Sequence, residues 1–202
     1  MPTCTLYPLP YQPDPAAYFA RLRQAPGAIL LDSARPGAER GRFDLLSAWP
    51  LQQLQAHPDE QGSTFLQRLR DGLAHLGHAQ LPEGSELPFA GGLIGYLSYD
   101  FGRRLEHLPS LAVDDLGLPD AQLGLYAWAL VSDHVHGTSQ LVFHPSLAGS
   151  ERERLITLFE GACDTASGDF QLLAPMAGDL QPDQYRAAFD QVQRYIPVSY
   201  TH

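Results

Sequence analysis

Lysine is absent from this chain. All 13 basic residues are arginine, so no catalytic lysine can be assigned. Cysteine is nearly absent too. Cys4 and Cys163 are the only two, with no CxxC pair, which excludes a disulfide framework and a cysteine-built zinc site. Reduced thiols in a cytoplasmic protein are the expectation. No stretch reaches the roughly 18 apolar residues that a membrane helix needs. The opening Met1–Pro15 lacks a basic region followed by an apolar one, so no secretory signal is expected. Nor is there a basic cluster. The formal net charge is -10, which argues against a nucleic-acid footprint. Ser-His-Asp orders, Cys-His pairs and HExxH are missing as well.

What remains is an ordinary globular balance, with 44% hydrophobic and 18% charged residues. A length of 202 residues fits one domain with room for part of a second. Asp14-Pro15 predicts a helix start, with Phe19 and Leu22 inward and an end near Gln24. Ala28–Leu31 reads as a short strand, Asp32–Gly41 as a loop, and Phe43–Ala48 as the returning strand. Ser63 is expected to cap a helix carrying Phe65, Leu66, Leu69, Leu73 and Leu76, stopped by Gly77. Gln122–Ser132 is apolar on both faces and reads as one strand buried on both sides. His134–Thr138 is a turn, and Gln140–Phe143 returns as a hairpin partner. Ser150 and Glu153 read as a capping box before Leu155, Ile156, Leu158, Phe159 and Ala162. Phe170–Ala174 reads as a strand. A last helix starts near Asp183 and turns Tyr185, Phe189, Val192 and Tyr195 to one face. Strands and helices occur without regular βαβ alternation, so the fold class is α+β, with mixed or antiparallel sheets and packed helices.

Three stretches hold candidate chemistry. Gly91, Gly92 and Gly95 interrupt an apolar strand, which marks a close backbone approach rather than a phosphate loop, since no Gly-Lys-Ser/Thr ending follows. Asp100, Arg103, Arg104 and Glu106 could form an ion-pair knot or hold an anion; the knot is the favoured reading. Asp133, His134 and His136 could reach a metal ion, but they sit at a hairpin tip where polar residues are expected anyway. A further place is the strand end at Asp32-Ser33. It presents a hydroxyl and backbone N–H groups, while Arg40, Gly41 and Arg42 can offer an anion further donors and Phe43 an apolar wall. That set suits a small zwitterion with an aromatic side chain. On the residues alone a plain turn is favoured.

Order and spacing of several pieces carry a resemblance. They are LLDS at 30–33, RFDLLSAWP at 42–50, PFAGGLIGYLSYDFGRRLEHLP at 88–109, LGLYAWALVSDH at 123–134 and QYRAAFDQVQRYI at 184–196. The chain resembles the N-terminal region of the chorismate-using synthases, and among them most closely aminodeoxychorismate synthase component I. The match runs from about Leu6 to Ile196. It implies an anthranilate synthase component I-like N-terminal domain over 1–178 and the start of a chorismate-binding catalytic domain over 179–196. It also implies an L-tryptophan pocket lined by Ser33, Arg40, Gly41, Arg42 and Phe43. The parent enzyme would aminate chorismate to 4-amino-4-deoxychorismate in folate and 4-aminobenzoate biosynthesis. It would use Mg²⁺ and ammonia from a glutamine amidotransferase subunit. No catalytic residue and no metal ligand map onto this chain, so an inactive scaffold is expected. Anthranilate synthase component I and a free-standing amino-acid-binding module are the alternatives. Asp32 stands where many anthranilate synthases have Glu, and Ala127 departs from the Tyr-Asp-Trp usual in the relatives. The tail 197–202 breaks the pattern; Val-Ser-Tyr-Thr-His matches one reading frame of a transposon end used in DNA library preparation, so a non-native tail is expected there.

Overall fold

A computed structural model describes residues 1–34, 41–109, 114–161, 171–178 and 180–199. They fall into two units, Met1–Thr165 and Ala166–His202.

Strands of the first unit are β1 (Thr5–Leu9), β2 (Ile29–Leu31), β3 (Phe43–Ser47), β4 (Gln52–Gln55), β5 (Gly92–Leu97), β6 (Ala121–Tyr126), β7 (Trp128–Asp133) and β8 (Thr138–Phe143). Its helices are α1 (Ala16–Phe19), α2 (Gly62–Leu76) and α3 (Gly149–Glu160). Five strands form one sheet in the order β1-β8-β7-β3-β2 and three form another in the order β4-β6-β5. Every strand pairing in them is antiparallel.

Alternation along each strand decides the layers. In β7, Trp128 and Leu130 join Leu46, Leu141 and Phe143 under Leu22 and the α3 residues Leu155 and Phe159. On the opposite face Ala129 and Val131 join Leu45 and Val142, and meet Ile94 and Tyr126 of the smaller sheet. The outer face of that smaller sheet packs Leu54 and Ala121 on Phe65 and Leu69 of α2. Helix, sheet, sheet and helix therefore follow one another, with apolar side chains between each pair of layers.

The apolar run expected as one strand, Gln122–Ser132, is two. The chain leaves the smaller sheet at Tyr126, passes Ala127 and enters the larger sheet at Trp128. It is apolar on both faces because it serves two cores in succession. Trp128 and Tyr126 fix the crossing: the indole N–H donates to the Ala48 carbonyl at 2.9 Å and the Tyr126 hydroxyl to the Gly27 carbonyl at 2.7 Å.

Other local expectations shift. The first helix is a single turn entered through Pro15, whose backbone is already helical; the Asp14 carboxylate accepts from the Ala16 N–H at 2.9 Å, the cap expected there, and Tyr18 and Leu22 are buried. Gln61, not Ser63, precedes α2, and Ala148, not Ser150, precedes α3; neither side chain caps its helix. Residues 171–174 hold no strand, and Phe170 lies outside the described residues. The charged tail after β5 forms a 3-10 helix over Tyr99–Arg104. Arg104 donates to Asp120 at 2.7 Å and to the carbonyls of His57 and Glu60 at 2.7 and 2.9 Å. Arg103 pairs with Asp100 at 2.7 Å. The Arg103–Asp100 pair is as the knot reading expects, but Arg104 reaches Asp120 rather than Glu106 and ties separate loops together.

The second unit holds α4 (Pro182–Ser199). Its Tyr185, Phe189, Val192 and Tyr195 recur at helical spacing, and all four are exposed. Among the described residues no helix is long and apolar enough to cross a membrane.

Candidate ligand site at one end of the larger sheet

Antiparallel pairing brings the sequence-predicted residues together. β2 and β3 align Leu31 with Leu45, so the chain after Leu31 runs beside the residues that enter β3. Ser33 and Gly41 are in direct contact: a Cβ at Gly41 would lie 2.4 Å from the Ser33 carbonyl oxygen, a place only glycine fits. Arg42 turns back over its own neighbour, with the guanidinium carbon 4.5 Å from the centre of the Phe43 ring, a cation–π contact. Arg40 lies outside the described residues. Ser33, Gly41, Arg42 and Phe43 thus share one end of the larger sheet.

Two networks hold these residues, and neither is visible in local sequence. The first is buried. Asp44 is 2% exposed, an aspartate inside an otherwise apolar strand. One of its oxygens accepts from the Ser33 N–H at 2.7 Å and from the Ser33 hydroxyl at 2.9 Å. Its other oxygen is 2.7 Å from His134 Nε2, and His134 Nδ1 is 2.7 Å from the Tyr11 hydroxyl. One proton arrangement satisfies every atom: Tyr11 donates to Nδ1, Nε2–H donates to Asp44, and both Ser33 donors point at Asp44. Buried polar groups are costly unless paired, and here all are paired.

The second network surrounds Arg42. Asp133 ends β7 opposite Phe43. It accepts from Arg42 Nη2 at 2.9 Å, from the Val135 N–H at 2.9 Å and from His136 Nδ1 at 2.8 Å. Burial alone would push the Asp133 carboxyl up, but the bonds from Arg42, His136 and the Val135 amide outweigh it and hold the group well below the usual carboxylate range. Glu86 takes the same Arg42 nitrogen at 2.5 Å, and the guanidinium holds its carboxyl below the ordinary value. These two partners, Asp133 first, pull Arg42 further above its own ordinary value. A pocket of about 500 Å³ opens beside Arg42, Asp133 and Glu86, with Leu6 and Leu87 in its wall.

The geometry assigns roles. Both Ser33 donors are spent on Asp44, so Ser33 shapes the loop. Arg42 lines the pocket beside the carboxylates of Glu83, Glu86 and Asp133, and the Phe43 ring lies against its guanidinium. The two imidazoles diverge, His134 to Asp44 and His136 to Asp133, so they do not converge on one ion. Among the described residues no group of three or more His, Cys, Asp or Glu is placed to hold a metal. Asp44, His134, Tyr11, Asp133 and Glu86 were not among the residues the sequence pointed to for this site. A signal existed for one of them: a carboxylate between Phe43 and Leu45 has no reason to be there unless something buried pairs with it.

Comparison with known proteins concerns the chain as a whole. A family described as chorismate binding enzyme matches residues 26–198. Aminodeoxychorismate synthase component 1 of Klebsiella aerogenes is 32% identical over 200 residues, which is 93% of this chain and 43% of that protein. Anthranilate synthase component 1 of Mycolicibacterium smegmatis is 35% identical over 142 residues, 63% of this chain and 26% of that protein. This chain therefore spans under half the length of either relative. In structure it is similar to anthranilate synthase component I from Streptococcus pneumoniae TIGR4, with a TM-score of 0.55 at 19% identity, covering 85% of this chain and 40% of that one. That likeness shows an α+β fold of the same kind, and the match over 26–198 means that the chain belongs to the chorismate binding enzyme family.

Proposed function

We propose that this chain forms the N-terminal scaffold of an aminodeoxychorismate synthase component I. One observation carries the choice within the family. The aminodeoxychorismate synthase relative aligns over 93% of this chain, whereas the anthranilate synthase relative aligns over 63% at similar identity. The whole enzyme would replace the 4-hydroxyl of chorismate with an amino group, in the cytoplasm, on the route to 4-aminobenzoate and folate. Its ammonia would come from a glutamine amidotransferase partner. Residues 1–178 would be the scaffold and 179–196 the entry to the catalytic domain.

Mg²⁺ would act in the whole enzyme as a Lewis acid on the substrate. The described residues do not fit it, since they bring no three suitable ligands together, and no step through it is assigned here. What this chain supplies is a pocket for an aromatic amino acid, L-tryptophan, at Ser33, Arg40, Gly41, Arg42 and Phe43. Arg42 would meet the carboxylate and Phe43 the ring. Ser33 and Gly41 would set the wall, locked by Asp44.

The chain mixed with chorismate, Mg²⁺ and ammonium is expected to give no aminodeoxychorismate. Product above background would overturn the scaffold assignment. Titration of the same chain with L-tryptophan, followed by calorimetry, is expected to give heat that Arg42→Ala abolishes. A second reading, anthranilate synthase component I, draws on the Mycolicibacterium smegmatis relative, and the identity of the product separates the two.

A further inference from the structure

The two carboxylates on Arg42 differ in how firmly they are held. Asp133 is 5% exposed in its side chain, belongs to a strand end, and has the Val135 and His136 N–H groups and the His136 ring as further partners. Glu86 is 67% exposed in its side chain. It comes from the segment between α2 and β5, and among the described residues its hydrogen bond is to Arg42. Both use Nη2 of the guanidinium, at 2.9 Å for Asp133 and 2.5 Å for Glu86. Displacing Asp133 would strand a buried charge, which is strongly unfavourable. Displacing Glu86 releases a carboxylate into water, where it is well solvated. Arg42 and Glu86 both line the pocket that Leu6 and Leu87 wall, and the Arg42 guanidinium lies over the Phe43 ring.

We propose that Glu86 is a built-in competitor at this site: its carboxylate occupies the edge of Arg42 that a ligand carboxylate would take, so a ligand gains Arg42 by displacing Glu86 while Asp133 stays in place. This rests on reading the pocket as an amino-acid site. Ser33 cannot serve as a rival anchor, because its N–H and hydroxyl are both held by Asp44. The exchange swaps one carboxylate for another and leaves the charge at Arg42 unchanged. Glu86 therefore sets a threshold: a ligand must gain more from its ring and its remaining groups than from its carboxylate alone. A bare carboxylate of cellular abundance is discriminated against, and a carboxylate attached to an aromatic body is favoured.

The test is calorimetry of the full chain, as wild type, as Glu86→Gln and as Glu83→Gln. Glu83 is a carboxylate lining the same pocket, so its removal controls for charge alone. The titrants are L-tryptophan and indole-3-acetate, which shares the ring and carboxylate but lacks the ammonium. Glu86→Gln is expected to bind both about two- to fivefold more tightly than wild type, the scale of one exposed ion pair. Glu83→Gln is expected to stay close to wild type. L-tryptophan bound equally by wild type and Glu86→Gln would overturn the competitor and keep the amino-acid reading. Tighter indole-3-acetate binding by Glu86→Gln with no response to L-tryptophan would keep the competitor and overturn the amino-acid reading. No binding of either titrant to Glu86→Gln would overturn the competitor.

Discussion

Replacing Gly95 with alanine should cost this fold more than a typical core truncation, although it adds one methyl group. Gly95 sits in β5 opposite Leu123 of β6. A Cβ there would lie 2.1 Å from the Gln122 carbonyl oxygen and 2.6 Å from the Leu123 Cα, where ordinary contact begins at 3.4 Å. Both atoms are backbone, so no rotamer change relieves the clash. β6 cannot retreat, because it is held between β4 and β5. β5 must therefore move away by about 1 Å, enough to break two or three ladder bonds at about 1 kcal/mol each. Residual crowding adds about 1–3 kcal/mol. The sum is about 4 kcal/mol, a large part of the ~5–15 kcal/mol that holds a domain together. With a urea slope of about 2 kcal/mol/M, the midpoint should fall by about 2 M. Trp49 and Trp128, stacked with ring centres 6.3 Å apart, report the transition by fluorescence. Gly149→Ala is the control. It opens α3, and an added Cβ meets nothing within 4 Å, so stability should hold or rise by up to about 1 kcal/mol. A Gly95→Ala midpoint within about 0.5 M of wild type would refute the close-approach reasoning.

Three further predictions test other parts of the fold and site. Phe65→Ala empties a fully buried position that meets Phe101 edge-on at 5.7 Å, and should cost about 3–5 kcal/mol in urea denaturation; a cost below about 1 kcal/mol would mean that α2 does not seal the smaller sheet. Asp44→Ala strands the Ser33 donors and His134 Nε2, and should cost about 3 kcal/mol, with faster amide exchange at Ser33; unchanged exchange there would deny Asp44 its hold on the loop. His144 gives a pH dependence. Burial lowers its imidazole below the ordinary value, the Gly77 carbonyl opposes this, and the Arg152 charge adds to the lowering. The folded state thus prefers the uncharged ring, whose Nδ1 accepts from the Ser146 N–H at 3.1 Å. Its contribution is full above the unfolded value of about 6.5 and is lost as pH falls through the folded value. The urea midpoint should drop between about pH 7.5 and about pH 5, and drop less in His144→Asn; equal drops in the two proteins would exclude His144 as the source.

Periodic and local features were readable from sequence, and features made by distant partners were not. Phe65, Leu69 and Leu76 marked the buried face of α2, and Gly77 its end, because helical spacing is a property of neighbours. The hairpin of β7 and β8 was equally plain, as was the meeting of Ser33 with Gly41–Phe43 across a strand-loop-strand return. The break at Ala127 was hidden: a run apolar on both faces looks the same whether one sheet or two cover it. Ser63 and Ser150 looked like caps, yet both helices start earlier, with Gln61 and Ala148 at their N-caps and no side-chain capping bond. The locks on the site were out of reach for a related reason. Asp44 meets His134 at a separation of 90 residues and His134 meets Tyr11 at 123, so only the folded sheet makes them neighbours.

The proposed role, as part of a chorismate aminase that acts at the 4-position, is open to direct test. The test expresses the whole reading frame that contains this chain and supplies chorismate, Mg²⁺ and ammonium. The products are then separated by chromatography and identified by mass. The expected product is 4-amino-4-deoxychorismate, which a lyase converts to 4-aminobenzoate. Anthranilate as the product would contradict it.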